Sequence, residues 1–320
     1  MINILPYLLA AVTSITLNSI ITPVLLRVAH RYSWYDDVDH RKIHMGEIPR
    51  IGGIGIAFSF FTTIFLYILL NRMYLSPSGY FRSLFDFWSV LTGALIINLL
   101  GLFDDFTDLR ARYKLIIQLA AALLVVLSGK YFVSFYIPFL GHPIHLNFFA
   151  QAFTVLWIIG ITNAVNLIDG LDGLSGGTTA IILFFMGLSA VYLGDYTQGL
   201  ILFMLFGSVI SFIFFNFPPA KLFMGDSGSL FLGFILACMP LYSSNNDAYG
   251  FALILSISFL LIPILDTVAA IIRRKRRGIP FHAPDKEHLH HKLLKLGLST
   301  KQILAILYSA TLILSAAAFL

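Results

Sequence analysis

Charge is scarce in this chain, and cysteine is all but missing. Of its 320 residues only 12% are Asp, Glu, Lys or Arg, against 58% hydrophobic, and there is one Cys. Soluble domains carry about 25% charged residues. The lone Cys238 excludes an internal disulfide framework, and no Cys lies near the histidines of the chain's C-terminal part, which argues against a structural zinc site there. A basic leader is missing too. The first Lys or Arg is Arg27, so the opening apolar segment reads as a retained anchor and not as a cleaved signal peptide. What is there in their place is a series of apolar runs long enough to cross a bilayer.

Ten such runs can be read, at roughly 3–29, 52–70, 85–103, 113–129, 149–168, 174–193, 198–217, 228–243, 250–272 and 302–320. The fold class expected is therefore an all-α polytopic membrane protein, with residues 1–320 forming a single transmembrane domain and no room for a soluble one. Of the 21 Lys and Arg residues, all but Arg72, Arg82 and Lys130 fall on the odd-to-even connections. The positive-inside rule then makes that side cytoplasmic and puts the N-terminus outside. A sequence pI near 9.2 follows from the same flanking residues, so nucleic acid is not implied. On the outer side, Tyr131, Val133, Phe135 and Ile137 alternate ahead of Gly141-His142-Pro143, the pattern of a small structural β-hairpin. The chain stops inside an apolar run, Ala316 to Leu320, which reads as a truncated C-terminus.

The unusual polar residues gather on the basic side. A first loop reads Asp36-Asp37-Val38-Asp39-His40-Arg41-Lys42-Ile43-His44, then Pro49-Arg50-Ile51-Gly52-Gly53. Taken alone, an ordinary charged loop beside a small-residue helix contact explains it better than a ligand site. The second holds Asp104, Asp105 and Asp108, with Arg110, Arg112 and Lys114 just after. Helical spacing gathers the three acids, which repel unless a cation or proton lies between them. The bland alternative is a helix stop neutralised by the basic residues. In the third, Asn163, Asn166, Asp169 and Asp172 recur at every third position, along one helical edge. These are oxygen ligands with no thiolate or imidazole, which suits Mg²⁺.

In the fourth loop Phe223-Met224-Gly225-Asp226-Ser227-Gly228-Ser229 opens a span. Its helix N-terminus offers free N–H groups to a phosphate, and Asp226 is either the N-cap or a metal ligand. The fifth carries the basic run Arg273 to Arg277, a snorkelling anchor, and then His288-Leu289-His290-His291. His288 and His291 share a helix face and His290 points away. Asp266, inside the preceding span, reads as an ion-paired or packing residue.

Taken together and in this order, Asp104-Asp105-x-x-Asp108, Asn163 to Gly173, Phe223 to Ser229 and His288 to His291 resemble the polyprenyl-phosphate N-acetylhexosamine-1-phosphate transferases (glycosyltransferase family 4) over essentially the whole chain. The resemblance implies an enzyme that moves a sugar 1-phosphate from a UDP-sugar to undecaprenyl phosphate on cytoplasmic loops, releases UMP and requires Mg²⁺ (Mn²⁺ as an alternative). It implies Asp104 and Asp105 as catalytic residues at the lipid phosphate, and Asp226 and Asp169 as metal ligands. Asn166, Asp172, Phe223, Arg50, His288, His290 and His291 would bind substrate, Phe223 by stacking on uracil. Asp108, where the phospho-MurNAc-pentapeptide transferases typically carry Lys, and His-Leu-His-His in place of three consecutive histidines, resemble the branch that takes UDP-GlcNAc. Implied partners are a UDP-N-acetylhexosamine, undecaprenyl phosphate and membrane lipid, with a homodimer left open. The location implied is the bacterial cytoplasmic membrane. A phospho-MurNAc-pentapeptide transferase is the enzyme alternative. A cation-coupled transporter is the non-enzyme one, disfavoured because its acids would lie near the bilayer midplane.

Overall fold

The computed structural model describes residues 4–35, 48–74, 84–136, 142–242, 249–278 and 287–320. Asp36 to His44 of the first loop, Ile137 and Gly141 of the hairpin, Arg82, and Asp285 and Lys286 of the fifth loop lie outside these residues. The helices are α1 (Leu5–Tyr32), α2 (Gly52–Tyr74), α3 (Trp88–Thr107), α4 (Ala111–Leu127), α5 (Ala150–Leu167), α6 (Leu174–Tyr192), α7 (Tyr196–Asn216), α8 (Gly225–Cys238), α9 (Tyr249–Phe259), α10 (Leu261–Arg276), α11 (Leu289–Lys295) and α12 (Thr300–Phe319). Between α4 and α5, β1 (Ser134–Tyr136) pairs antiparallel with β2 (Pro143–His145), Phe135 facing Ile144. The alternating segment thus forms the hairpin its pattern predicts.

The hub is α8. Its span, Gly225–Tyr242, is 89% buried within the protein, whereas the peripheral α1 and α12 spans are 28% buried. A helix apolar on every side belongs in such a place, and α2, α3 and α5 pack around it. A second group, α1, α2 and α6, packs on α7. Lipid tails are as apolar as Leu, so helix pairing in a membrane leans on small residues and interhelical hydrogen bonds. The contacts of α1, α2 and α7 follow that rule. Ser14 Oγ donates to Thr63 Oγ1 (2.8 Å), Asn18 Nδ2 to the Ser208 carbonyl (2.8 Å), and Ser59 Oγ to Ser208 Oγ (2.9 Å).

Among the described residues, eight helices are long and apolar enough to cross a membrane, or nine if the bent pair α9–α10 makes one span. The ten expected runs therefore differ at two places. The run 113–129 falls on α4, whose 17 residues rise only about 26 Å. The run 250–272 is broken by 78° at Leu260. Pro263 lies in the first turn of α10, where its ring would clash with the Phe259 carbonyl if the helix ran on. The protein is a multi-pass, almost wholly helical membrane protein.

Candidate active site

The site is built around the first turn of α8. At Gly53 an added Cβ would lie 2.1 Å from the Gly228 nitrogen, and at Gly101 2.4 Å from the Asp226 carbonyl. Any side chain there would push α2 or α3 away, so these two glycines let three backbones converge on Asp226 and Ser227. Backbone bonds then knit the first loop to the fourth: Gly52 N–H to the Phe223 carbonyl, Gly53 N–H to Met224 and Phe223 N–H to Pro49, each 2.9 Å. Arg50 lies inside this clasp. Asn98, buried in α3, donates from Nδ2 to the Ser227 carbonyl at 2.9 Å.

Two of the free N–H groups expected at the start of α8 are not offered to a ligand phosphate. Asp105 takes them: Oδ1 accepts from Asp226 N–H (2.7 Å) and Oδ2 from Ser227 N–H (3.0 Å). The orphan donors and the positive end of the helix dipole are answered by a carboxylate from α3. Asp226 does not cap its own helix. It sits in the first turn, and its side chain points into a polar cluster.

In that cluster Asn166 Nδ2 donates to Asp226 Oδ1 (2.9 Å) and to Ser229 Oγ (2.8 Å). Lys114 Nζ, from the first turn of α4, donates to Asp226 Oδ2 at 3.1 Å and pairs closely with Asp104. The other Asp104 oxygen accepts from Leu109 N–H at 2.8 Å. Asp104, Lys114, Asp226 and Asn166, supplied by four helices, thus share one network. The side chains of Lys114 and Asp226 are 25% and 28% exposed, that of Asp104 only 6%. Solvent reaches the cluster from the Lys114–Asp226 side.

Two spacing arguments need correction. Asp108 does not join Asp104 and Asp105. Helix α3 ends at Thr107, and Asp108 caps it in the left-handed region (φ 50°) and is exposed, a conformation Asp tolerates better than most residues. Nor do the third-loop polar residues share one edge, because α5 ends at Leu167. Asn163 Nδ2 bonds Gln118 Oε1 on α4 (2.7 Å) while Asn166 bonds Asp226. Beyond the helix, Asp172 is buried and accepts from Ala220 N–H at 3.1 Å. Asn216 accepts from Gly173 N–H and donates to the Leu222 carbonyl, both 2.8 Å. Those bonds staple the third loop to the fourth. Asp169 is half-buried. Its carboxyl is pushed up to about 8, first by burial and then by the charge of Asp226, with Arg50 pulling it down. Phe223, half-buried, stands at the clasp between the first and fourth loops.

On the fifth loop the histidines divide otherwise than helical spacing suggests. His288 precedes α11 and is buried, paired through Nδ1 with Asp266 Oδ2 at 2.9 Å. Asp266 is thus a paired residue, its partner the ring nitrogen of His288. His290 is buried as well, and burial first, then the neighbouring His291 and His288, lower it to about 4. His291 alone is partly exposed.

Lys114 is the member of this cluster that sequence reasoning passed over. A lysine in the first turn of a span ordinarily anchors at the interface, and only its tertiary position between two acids sets it apart. Among the described residues no set of three or more His, Cys, Asp or Glu side chains converges to hold a metal ion.

Known proteins resemble this chain in sequence. Residues 87–244, which hold Asp104, Lys114, Asn166, Asp169 and Asp226, match the model of glycosyl transferase family 4. The chain is 37% identical over 314 residues to a probable undecaprenyl-phosphate N-acetylglucosaminyl 1-phosphate transferase of Bacillus subtilis, covering 97% of this chain and 83% of that protein. It is 34% identical over 291 residues to a decaprenyl-phosphate N-acetylglucosaminephosphotransferase of Mycobacterium tuberculosis, covering 84% and 70%. To the undecaprenyl-phosphate alpha-N-acetylglucosaminyl 1-phosphate transferase of Escherichia coli K12 it is 26% identical over 298 residues, covering 90% and 77%.

Proposed function

The chain belongs to glycosyl transferase family 4, in the branch of the undecaprenyl-phosphate N-acetylglucosamine-1-phosphate transferases, and from that premise we propose how it works. It transfers N-acetylglucosamine 1-phosphate to a polyprenyl phosphate. The donor is UDP-N-acetylglucosamine, and the reaction runs at the cytoplasmic face of the bacterial inner membrane. A lipid phosphate oxygen attacks the sugar-bearing phosphorus, the P–O bond to the UMP phosphate breaks, and UMP leaves. The observation that carries this reading is the network of Asp104, Lys114, Asn166 and Asp226, part-exposed where the helix ends meet the loops rich in Lys and Arg.

Lys114 offers the attacking lipid phosphate an ammonium that Asp104 holds in place. Both Asp104 oxygens are engaged, by Leu109 N–H and by Lys114, which supports direct attack over an aspartyl-phosphate intermediate. Asp105 serves by holding the first turn of α8 and so aiming Asp226. Arg50 and Phe223, side by side at the clasp, face the diphosphate and the uracil of the donor. Asp172 shapes the third loop from behind.

A divalent metal fits these residues. The donors are all oxygens, and Asp169 is pushed up to about 8, first by burial and then by the carboxylate charge of Asp226. An added cation would relieve that charge. Asp226 and Asp169 would hold Mg²⁺, or Mn²⁺, in the usual manner of one or two carboxylates with substrate phosphates completing the shell. When bound, the ion supplies charge neutralisation on the diphosphate as the anhydride breaks.

The test is UMP release by purified protein given UDP-GlcNAc and undecaprenyl phosphate, with and without Mg²⁺. Release should require all three. If no UDP-N-acetylhexosamine yields UMP, the reaction is wrong, and release from UDP-MurNAc-pentapeptide alone would move the chain to the peptidoglycan branch.

A further inference from the structure

Asp266 has no part in the chemistry above. It lies on α10, the second arm of the bent helix pair, and is 7% exposed. Both its oxygens are spent on the start of α11. Oδ2 pairs with His288 Nδ1 at 2.9 Å, and Oδ1 accepts from Leu289 N–H at 2.9 Å. The His288 ring lies parallel to that of His290, 5° apart in plane and 6.1 Å between centroids. His290 in turn presses on Gly170, where an added Cβ would stand 2.6 Å from Nε2. Gly170 lies between Asp169 and Asp172. The contacts therefore run from α10 through the two histidines to the third loop of the site.

Docking alone does not account for an acid at that place. A buried carboxylate is costly to desolvate, and apolar packing of the same volume would hold a short helix without that cost. What a carboxylate adds is direction: it fixes the ring plane of a histidine and the nitrogen that faces it. We propose that Asp266 is a positioning residue for the donor sugar nucleotide. By orienting His288, it seats His290 against Gly170 and sets the third loop for binding. This rests on the reading above, in which the third loop meets the UDP-sugar.

The test is steady-state UMP release with UDP-GlcNAc and undecaprenyl phosphate for wild type, Asp266→Asn, His288→Ala and the double variant. Asp266→Asn should raise KM for UDP-GlcNAc about tenfold or more, with KM for the lipid phosphate unchanged. Added to His288→Ala it should cause no further rise. Kinetics like wild type would overturn the proposal. So would a fall in Vmax with both KM values kept, the mark of fewer folded molecules, or losses that multiply in the double variant. Should Asp266→Asn fail to accumulate in membranes, His288→Asn replaces it, since its amide can still donate to Asp266. It should keep donor KM closer to wild type than His288→Ala does, and equal loss overturns the proposal. A wild-type chain silent with every UDP-N-acetylhexosamine would instead sink the reaction, and this proposal with it.

Discussion

Two acid–base pairs in this protein are built alike and held differently. At the centre of the site Lys114 bridges Asp104 and Asp226, and its side chain and that of Asp226 stay a quarter or more exposed. On the fifth loop Asp266 and His288 pair with side chains 5% and 6% exposed, and the second Asp266 oxygen is consumed by a backbone N–H. The first pair hangs on a flexible four-carbon stem and can trade its partner for a phosphate. The second has no slack and no solvent. An acid in a membrane protein can thus be a contact for substrate or a latch. Exposure and the fate of its second oxygen tell the two apart.

That contrast predicts the largest effect for Asp226→Asn. The change keeps the shape and one acceptor but removes the charge, so transfer should fall by about 10³-fold while the protein stays folded. UMP release beside a thermal melt checks both halves, and a variant keeping a third of its activity would place the reaction elsewhere. Lys114→Met comes next, with a loss of about 10²-fold expected and a rise in KM for the lipid phosphate. Lys114→Arg should recover part of it. If Lys114→Met changed only thermal stability, the lysine would be a latch like His288 and the comparison would fail.

Asp105 sharpens the comparison from the other side, because the site end of the molecule has a latch of its own. Asp105→Ala strands two N–H groups at the start of α8, each costing about 1–3 kcal/mol if left unmade. The expected result is a lower melting temperature, with activity per folded molecule falling less than for Asp226→Asn. An activity loss as deep as that of Asp226→Asn at unchanged melting temperature would make Asp105 a participant in the chemistry.

Much of this was legible in the sequence, and the illegible part has physical reasons. The apolar runs place most spans, and motif order brings Asn166 to Asp226 across 60 residues. Alternation at Tyr131 to Phe135 finds the hairpin. The N-terminus of α8 was visible as a set of unmet donors, but sequence does not say whether the anion that meets them arrives with a ligand or from Asp105 on another helix. Lys114 looks like any interfacial lysine until its neighbours are known. Spacing misplaced Asp108 and Asp172 because it assumed helices that run on, whereas α3 stops at Thr107 and α5 at Leu167. In the fifth loop Asp266 was read correctly as paired, yet the partner, 22 residues away, lies beyond the reach of helical periodicity.

The smallest effect belongs to the latch region and appears only in acid. His290 is buried with Nε2 lacking a hydrogen-bond partner among the described residues, and it is lowered from 6.5 to about 4. His288, His291 and the Asp266 carboxylate are the titratable groups that bear on it. Between those values the unfolded chain takes up a proton that the folded chain refuses. Stability should therefore be full above about pH 6.5 and fall as pH drops toward 4. At pH 5 the difference is about 2 kcal/mol, a few degrees of melting temperature for a domain of this size. His290→Gln, which cannot titrate, should melt with a flatter dependence between pH 7 and 5 than wild type, whatever its melting temperature at neutral pH. Parallel curves for the two proteins would mean that the imidazole is reached by water, and that the fifth loop is as open as the cluster around Lys114.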